Sequence, residues 1–138
     1  AEKYTGTTNL EEACRIIHDR GALIAGVTDG ANGSYFVWPD GTAYRCQPFP
    51  QASVVDTTGA GDSFHGAFLS KLAVSIRQEN ALYGEFIKPI DILQSLDHKQ
   101  LESAAIFASA VSALNTQGIG GRSALPSLKS ACNLAGLE

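Results

Sequence analysis

Methionine is absent from all 138 residues, and cysteine occurs only at Cys14, Cys46 and Cys132. Three cysteines this far apart build neither a disulfide framework nor a CxxC metal site, and they read as reduced cytosolic thiols. Charge is also scarce, at 17% of the residues, with 10 Lys+Arg against 14 Asp+Glu, a net charge of −4 and no basic run. That balance argues against indiscriminate binding to nucleic acid or anionic membranes, so an anion bound by this chain has to be held locally. No apolar stretch approaches the ~18 residues of a membrane span. The opening Ala1-Glu2-Lys3-Tyr4 lacks the pattern of a secretory signal. The expectation is a cytoplasmic protein with neither nucleic acid nor membrane as a partner. The missing initiator methionine and the closing Leu137-Glu138 suggest a piece of a longer chain.

What is present is a globular composition, 44% apolar and punctuated by 14 glycines. The length suits one domain or part of one. Asn9, or Thr8 before it, can cap a helix through about Arg20, with Leu10, Ala13, Cys14 and Ile17 at amphipathic spacing and Gly21 as the stop. Ala22 to Val27 reads as a buried strand. After the glycine loop Thr28-Asp29-Gly30-Ala31-Asn32-Gly33, the runs Ser34 to Trp38 and Thr42 to Gln47 flank a Pro39-Asp40-Gly41 turn, which is a hairpin signal. Tyr35 and Trp38 are expected to cover the sheet.

A further strand, Ala52 to Val55, leads into Asp56-Thr57-Thr58-Gly59-Ala60-Gly61-Asp62, and helical periodicity runs from Ser63 to about Ile76. Residues 77–97 read as a polar, irregular surface excursion in which Pro89 opens a short helix. Leu101 to Asn115 predicts a small-residue helix ended by the loop around Gly118, Gly120 and Gly121, and Pro126 precedes a last short helix.

The order strand, glycine turn, helix carries the chemistry. A helix N-terminus has unpaired N–H groups and the positive end of the macrodipole, so a glycine turn feeding it cradles an anion without basic side chains. Glycines at 59 and 61 let a phosphate approach the backbone. A carboxylate at Asp62 is unfavourable beside a phosphate unless it takes a proton or helps hold a metal ion. An ordinary capped helix with Asp62 as a first-turn charge is the plain alternative. A Walker loop is excluded because Gly61 is followed by Asp62-Ser63 with no lysine, and a Rossmann fingerprint fails at Phe64.

The run Asp56 to Phe64, continuing to Gly66-Ala67, resembles without a gap the C-terminal signature of the PfkB/ribokinase family of carbohydrate kinases. Val27-Thr28-x-Gly30-x-x-Gly33 resembles the family's nucleotide loop. Phe107-Ala108-x-Ala110 resembles its adenine-side helix, and Gly120-Gly121 with Leu125-Pro126-Ser127 its closing loop. Ala1 to Gly6 is similar to the segment just after the family's Asn-x-x-Glu motif. The resemblance implies an α/β fold, the C-terminal portion of a ribokinase-like doubly wound sheet. Residues 1–138 would then be the nucleotide-binding part of a kinase whose sugar pocket and lid lie upstream.

By the same resemblance Asp62 is the catalytic base that deprotonates a sugar hydroxyl attacking the γ-phosphate of ATP, which arrives with Mg2+. The N–H groups of Gly59, Ala60, Gly61 and Asp62 would form the anion hole. Thr28, Gly30 and Gly33 would line the nucleotide phosphates or ribose, and Ser109 the adenine pocket. A monovalent cation, K+, would lie at Asp56 and Thr58 with Thr116 and Gly121 of the closing loop, since hard oxygen ligands suit it. Asp56 can instead simply cap its turn, Thr28 to Gly33 can be only a turn, and Ser109 only a packing residue. His65 and Arg122 are expected at the surface. The implied activity is phosphoryl transfer from ATP to a sugar or sugar acid, with the piece inactive alone. The alternatives are a nucleoside or vitamin kinase of the same fold and a nucleotide-binding module without catalysis. Cutting a doubly wound sheet exposes an edge, so a homo-oligomer is expected.

Overall fold

A computed structural model describes residues 1–50, 53–83 and 87–137 of the chain. It divides into two compact units, Ala1–Gln47 and Pro48–Glu138. The first opens with a single turn, α1 (Glu2–Thr5), and continues into α2 (Leu10–Asp19). Asn9 caps α2 by accepting the Glu12 N–H at 3.1 Å, the role that a short polar side chain ahead of an amphipathic run should take. Strands β1 (Ala25–Thr28), β2 (Ser34–Val37) and β3 (Ala43–Cys46) form an antiparallel meander in that order.

Ala25 lies opposite Val37 and Val27 opposite Tyr35, so strand alternation sends these four to one face, where Cys14 and Ile17 of α2 pack. The other face carries Phe36, whose ring lies over Gly26 so closely that a Cβ there would sit 2.7 Å from it. Trp38 continues that face, fully buried and stacked on Phe36 at 4.9 Å and on Tyr44 at 5.6 Å. The hairpin stands as the sequence predicts, with Asp40 accepting the Thr42 N–H and hydroxyl in the turn. The first strand begins at Ala25 and runs to Thr28, later than the periodicity suggests.

In the second unit the strand expected over Ala52 to Val55 is not formed where the chain is described; Ala52 itself lies outside the described residues. The N–H groups of Val55 and Asp56 both donate to the Thr116 carbonyl, at 2.8 and 3.1 Å. They are tied to the end of a helix, and a strand needs a ladder partner that the described residues do not supply. Helix α3 runs over Ala60–Tyr83, starting before Ser63 and continuing past Ile76. Residues 77–83 contain no glycine or proline and include good helix formers, so propensity carries the helix on through the polar run Arg77 to Asn80.

Pro89 opens a short helix as expected, α4 (Pro89–Ser95), but the reading of 77–97 as a surface excursion is corrected a second time, because α4 packs on α3 and buries Ile92. Leu96, just after it, is buried as well. Helix α5 (His98–Asn115) starts at a capping box. Asp97 accepts the Gln100 N–H at 2.7 Å, and Gln100 accepts the Asp97 N–H at 3.0 Å. Gln100 also donates to Glu79 at 3.1 Å, which joins α5 to α3.

Ala104, Ala105, Ala108 and Ala110 are fully buried and small, so α5 comes close to α3, which brings Phe64, Ala67, Phe68 and Leu72 to the interior. Helix α6 (Leu128–Ala135), capped by Ser127, packs on α5 through the buried Ala131. No helix among the described residues is long and apolar enough to cross a membrane.

Candidate active site

Glycine decides the geometry at the start of α3. Gly59 sits at φ +76, in the left-handed region that β-carbons disfavour, and a Cβ on it would lie 2.6 Å from the Gly121 Cα. The signature turn and the closing loop therefore touch backbone to backbone. Ala60 donates its N–H to the Thr57 carbonyl at 3.1 Å, and Ser63 donates to the Gly59 carbonyl at 2.9 Å. The N–H groups of Gly59, Gly61 and Asp62 have no acceptor among the described residues. Of the four N–H groups expected to form an anion hole, three are thus free, and that of Ala60 is already used. Asp62 lies exposed in the first turn of α3 and is the acidic residue of that turn.

Asp56 holds the turn and the closing loop together. One carboxylate oxygen accepts the Thr58 N–H at 2.8 Å, and the other accepts the Gly120 N–H at 2.8 Å. Hydrogen bonds from the Thr58 side chain, the Thr58 N–H and the Gly120 N–H hold its carboxyl below the ordinary carboxylate value. Asp56 thus caps its turn through Thr58 and also reaches the closing loop through Gly120.

A monovalent cation at this place fits in part. A carboxylate oxygen with one donor keeps a lone pair, and the Thr58 carbonyl accepts nothing among the described residues. The Thr116 carbonyl accepts two N–H groups, which fills both of its lone pairs. The Gly121 carbonyl accepts from Asn115 at 3.3 Å and keeps one. No cluster of three or more His, Cys, Asp or Glu side chains that could hold a metal ion occurs among the described residues.

Thus the second unit brings together Asp56, Thr58, Gly59, Ala60, Gly61, Asp62, Thr116 and Gly121. Ser109 is buried on α5, further from its C-terminal end. Thr28, Gly30 and Gly33 belong to the first unit. There Thr28 ends β1, and a short 3-10 turn follows with Gly30 at φ +50 and Gly33 at φ +91. The Asp29 N–H donates to the Gly33 carbonyl at 2.8 Å and the Asn32 N–H to the Asp29 carbonyl at 2.9 Å, so this loop closes on itself. His65 and Arg122 are exposed.

Two residues outside the motif matter as well. Ser112 donates its hydroxyl to the Ala60 carbonyl at 2.9 Å, and Asn115, one turn on, is fully buried with its amide on Gly121. Ser109, Ser112 and Asn115, three apart along the alanine-rich second half of α5, were the available signal for them.

The profile of the pfkB family of carbohydrate kinases matches residues 1–128. The chain belongs to this family. It is 29% identical over 127 residues to the bifunctional ribokinase/ribose-5-phosphate isomerase A of Fructilactobacillus sanfranciscensis, which covers 92% of the chain and 19% of that protein. A double mutant of the fructokinase of Vibrio cholerae O395, crystallised with fructose, ADP and potassium ion, superposes with a TM-score of 0.74 and 25% identity over 97% of the chain and 37% of its own. The aminoimidazole riboside kinase of Salmonella enterica, with aminoimidazole riboside and an ATP analog, gives 0.72 and 25% over 97% of the chain and 38% of its own. The pfkB chain described here therefore spans about a fifth to two fifths of the length of these relatives. Its α/β class, with the small sheet of the first unit, is that of ribokinase-fold kinases.

Proposed function

We propose that this chain is the nucleotide side of an ATP-dependent kinase that transfers a phosphoryl group to a hydroxyl of a sugar or sugar acid. The observation that carries the reading is the start of α3, where N–H groups at Gly59, Gly61 and Asp62 without an acceptor among the described residues adjoin an exposed carboxylate. In such a site the N–H groups, with the helix dipole behind them, stabilise charge developing on the transferred phosphoryl oxygens. The Asp62 carboxylate accepts the proton of the attacking hydroxyl, which makes the oxygen a competent nucleophile as the bond to the phosphorus forms. Mg2+ bound to the incoming ATP would screen the phosphate charge. A K+ ion would be held by Asp56, the Thr58 carbonyl and Gly121, and would add positive potential beside the anion hole. Thr28, Gly30, Gly33 and Ser109 belong to the nucleotide side of the reading.

The 138-residue chain alone binds Mg-ATP without turning it over, works in the cytoplasm and associates with copies of itself. A riboside acceptor is the second reading, favoured by the likeness to the aminoimidazole riboside kinase. The test is a coupled assay of ADP release, with a panel of sugars and ribosides, on the longer protein that carries this chain. Asp62→Asn is expected to lower kcat by at least about a hundredfold, the usual worth of a general base, while Mg-ATP affinity in a titration stays within about twofold. Undiminished turnover by the Asn variant contradicts the role. Unchanged ATP binding together with no Asp62-dependent turnover on any acceptor would favour a binding module without catalysis.

A further inference from the structure

The turn that presents the free N–H groups is held from behind by the last turns of α5. Ser112 fixes the Ala60 carbonyl and the Thr116 carbonyl takes the Val55 and Asp56 N–H groups. Asn115 gives its Nδ2 to the Gly121 carbonyl at 3.3 Å. Gly121 is the residue whose Cα faces Gly59, so the Asn115 amide presses the closing loop against the residue that opens the cradle. Asn115 is fully buried, and its Oδ1 has no hydrogen-bond partner among the described residues. A half-satisfied amide in the interior is a poor packing choice, because an apolar side chain would fill such a site without an orphaned acceptor.

We propose that Asn115 is a positioning residue of the anion cradle. By fixing Gly121 on Gly59, its carboxamide sets the spacing and direction of the Gly61 and Asp62 N–H groups. The proposal rests on the reading of the α3 N-terminus as a phosphate site. It separates two kinds of support: Ser112 holds α3 itself, whereas Asn115 holds the loop that α3 leans on. Loss of Asn115 therefore loosens the closing loop and the cradle while the packing of α3 on α5 persists.

The test uses the 138-residue chain with inorganic pyrophosphate as the probe, titrated by calorimetry at a temperature well below the melting midpoint of every variant. Asn115→Ala and the isosteric Asn115→Asp are compared with Asn115→Thr, which keeps a hydroxyl donor. Backbone amide exchange at Val55, Asp56 and Gly120 reports on the loop independently of any ligand. The Ala and Asp variants should bind pyrophosphate about tenfold more weakly than the parent, as loss of preorganisation in a hydrogen-bonded site implies. The Thr variant should recover part of that loss. Exchange at Gly120 should quicken in the Ala and Asp variants, while amides in the middle of α3 keep their protection.

Unchanged pyrophosphate affinity in a folded Ala variant overturns the proposal, as does uniform loss of protection throughout α3 and α5. If the parent chain binds no pyrophosphate, the phosphate-site reading fails. The amide exchange then still decides the clamp, since unchanged Gly120 exchange in the variants refutes it and faster exchange supports it.

Discussion

The two units both carry a glycine loop that the sequence points to a nucleotide, yet they hold it by different means. In the first unit, the loop over residues 28–33 is closed by hydrogen bonds between near neighbours, Asp29 with Gly33 and Asn32 with Asp29. In the second, the turn over residues 56–62 has local bonds too, Thr58 to Asp56 and Ala60 to Thr57, but it is also held by residues far along the chain. Asp56 reaches Gly120 across 64 positions, and Ser112 reaches Ala60 across 52. A locally closed loop costs little to form and can be altered one residue at a time, whereas a loop held from afar depends on the packing of whole helices. The difference predicts that equivalent changes in the two loops have unequal consequences.

The sharpest contrast is a single methyl group placed in each. Gly59→Ala puts a β-carbon on a residue at φ +76 and into the Gly121 backbone, and it should destabilise the second unit by roughly 3 kcal/mol. Gly30→Ala sits at φ +50 with open space around it and should cost about 1 kcal/mol. Amide exchange read separately over the two units measures both values, and equal costs would erase the distinction.

Acid offers a second way to split the units. The hydrogen bonds from Thr58 and Gly120 depress the folded-state pKa of Asp56, so its contribution is present above the unfolded carboxylate pKa. It is lost as the pH falls through the depressed folded value. Protection of Gly120 should therefore fall on acidification before the β1–β2–β3 amides respond, and Asp56→Asn should remove that pH dependence. An acid response at Gly120 that persists in the Asn variant would assign it elsewhere.

Smaller effects come from the helix caps. Asn9→Ala removes the bond to the Glu12 N–H and should cost the first unit about 1 kcal/mol, with the second unchanged in amide exchange. The least disruptive probe is thiol labelling. Cys14 is buried, and desolvation pushes its thiol up to about 11, whereas Cys132 on α6 is half-buried. Cys132 should be alkylated first, and Cys14 only at the rate at which the first unit opens.

These contrasts also explain which features could be read from the letters. The hairpin with its Pro39-Asp40-Gly41 turn, the Asn9 cap and the Asp56-to-Phe64 signature are local patterns, because one stretch of backbone chemistry determines each of them. The strand expected at Ala52 to Val55 depended on a pairing partner, and in the described residues Val55 and Asp56 are bonded to Thr116 instead. The full length of α3 was hidden because Arg77 to Asn80 are four polar residues in a row, which resembles a loop when amphipathicity alone is weighed. Burial of Ile92 and Leu96 depended on α4 folding back onto α3, a contact with no local signal. Ser112 and Asn115 look like ordinary polar residues in an alanine-rich helix until Ala60 and Gly121 arrive beside them. The signature letters were legible, and the scaffold that holds them was not, since it is written in residues more than fifty positions away.

The central claim is that the start of α3 is a phosphate site. It is tested most directly by following the backbone amide resonances of the chain during a titration with Mg-ATP. The account predicts saturable shifts at Gly59, Gly61 and Asp62, the residues whose N–H groups lack acceptors among the described residues. Saturable binding that leaves these three resonances unmoved, or no binding at millimolar nucleotide, would contradict it.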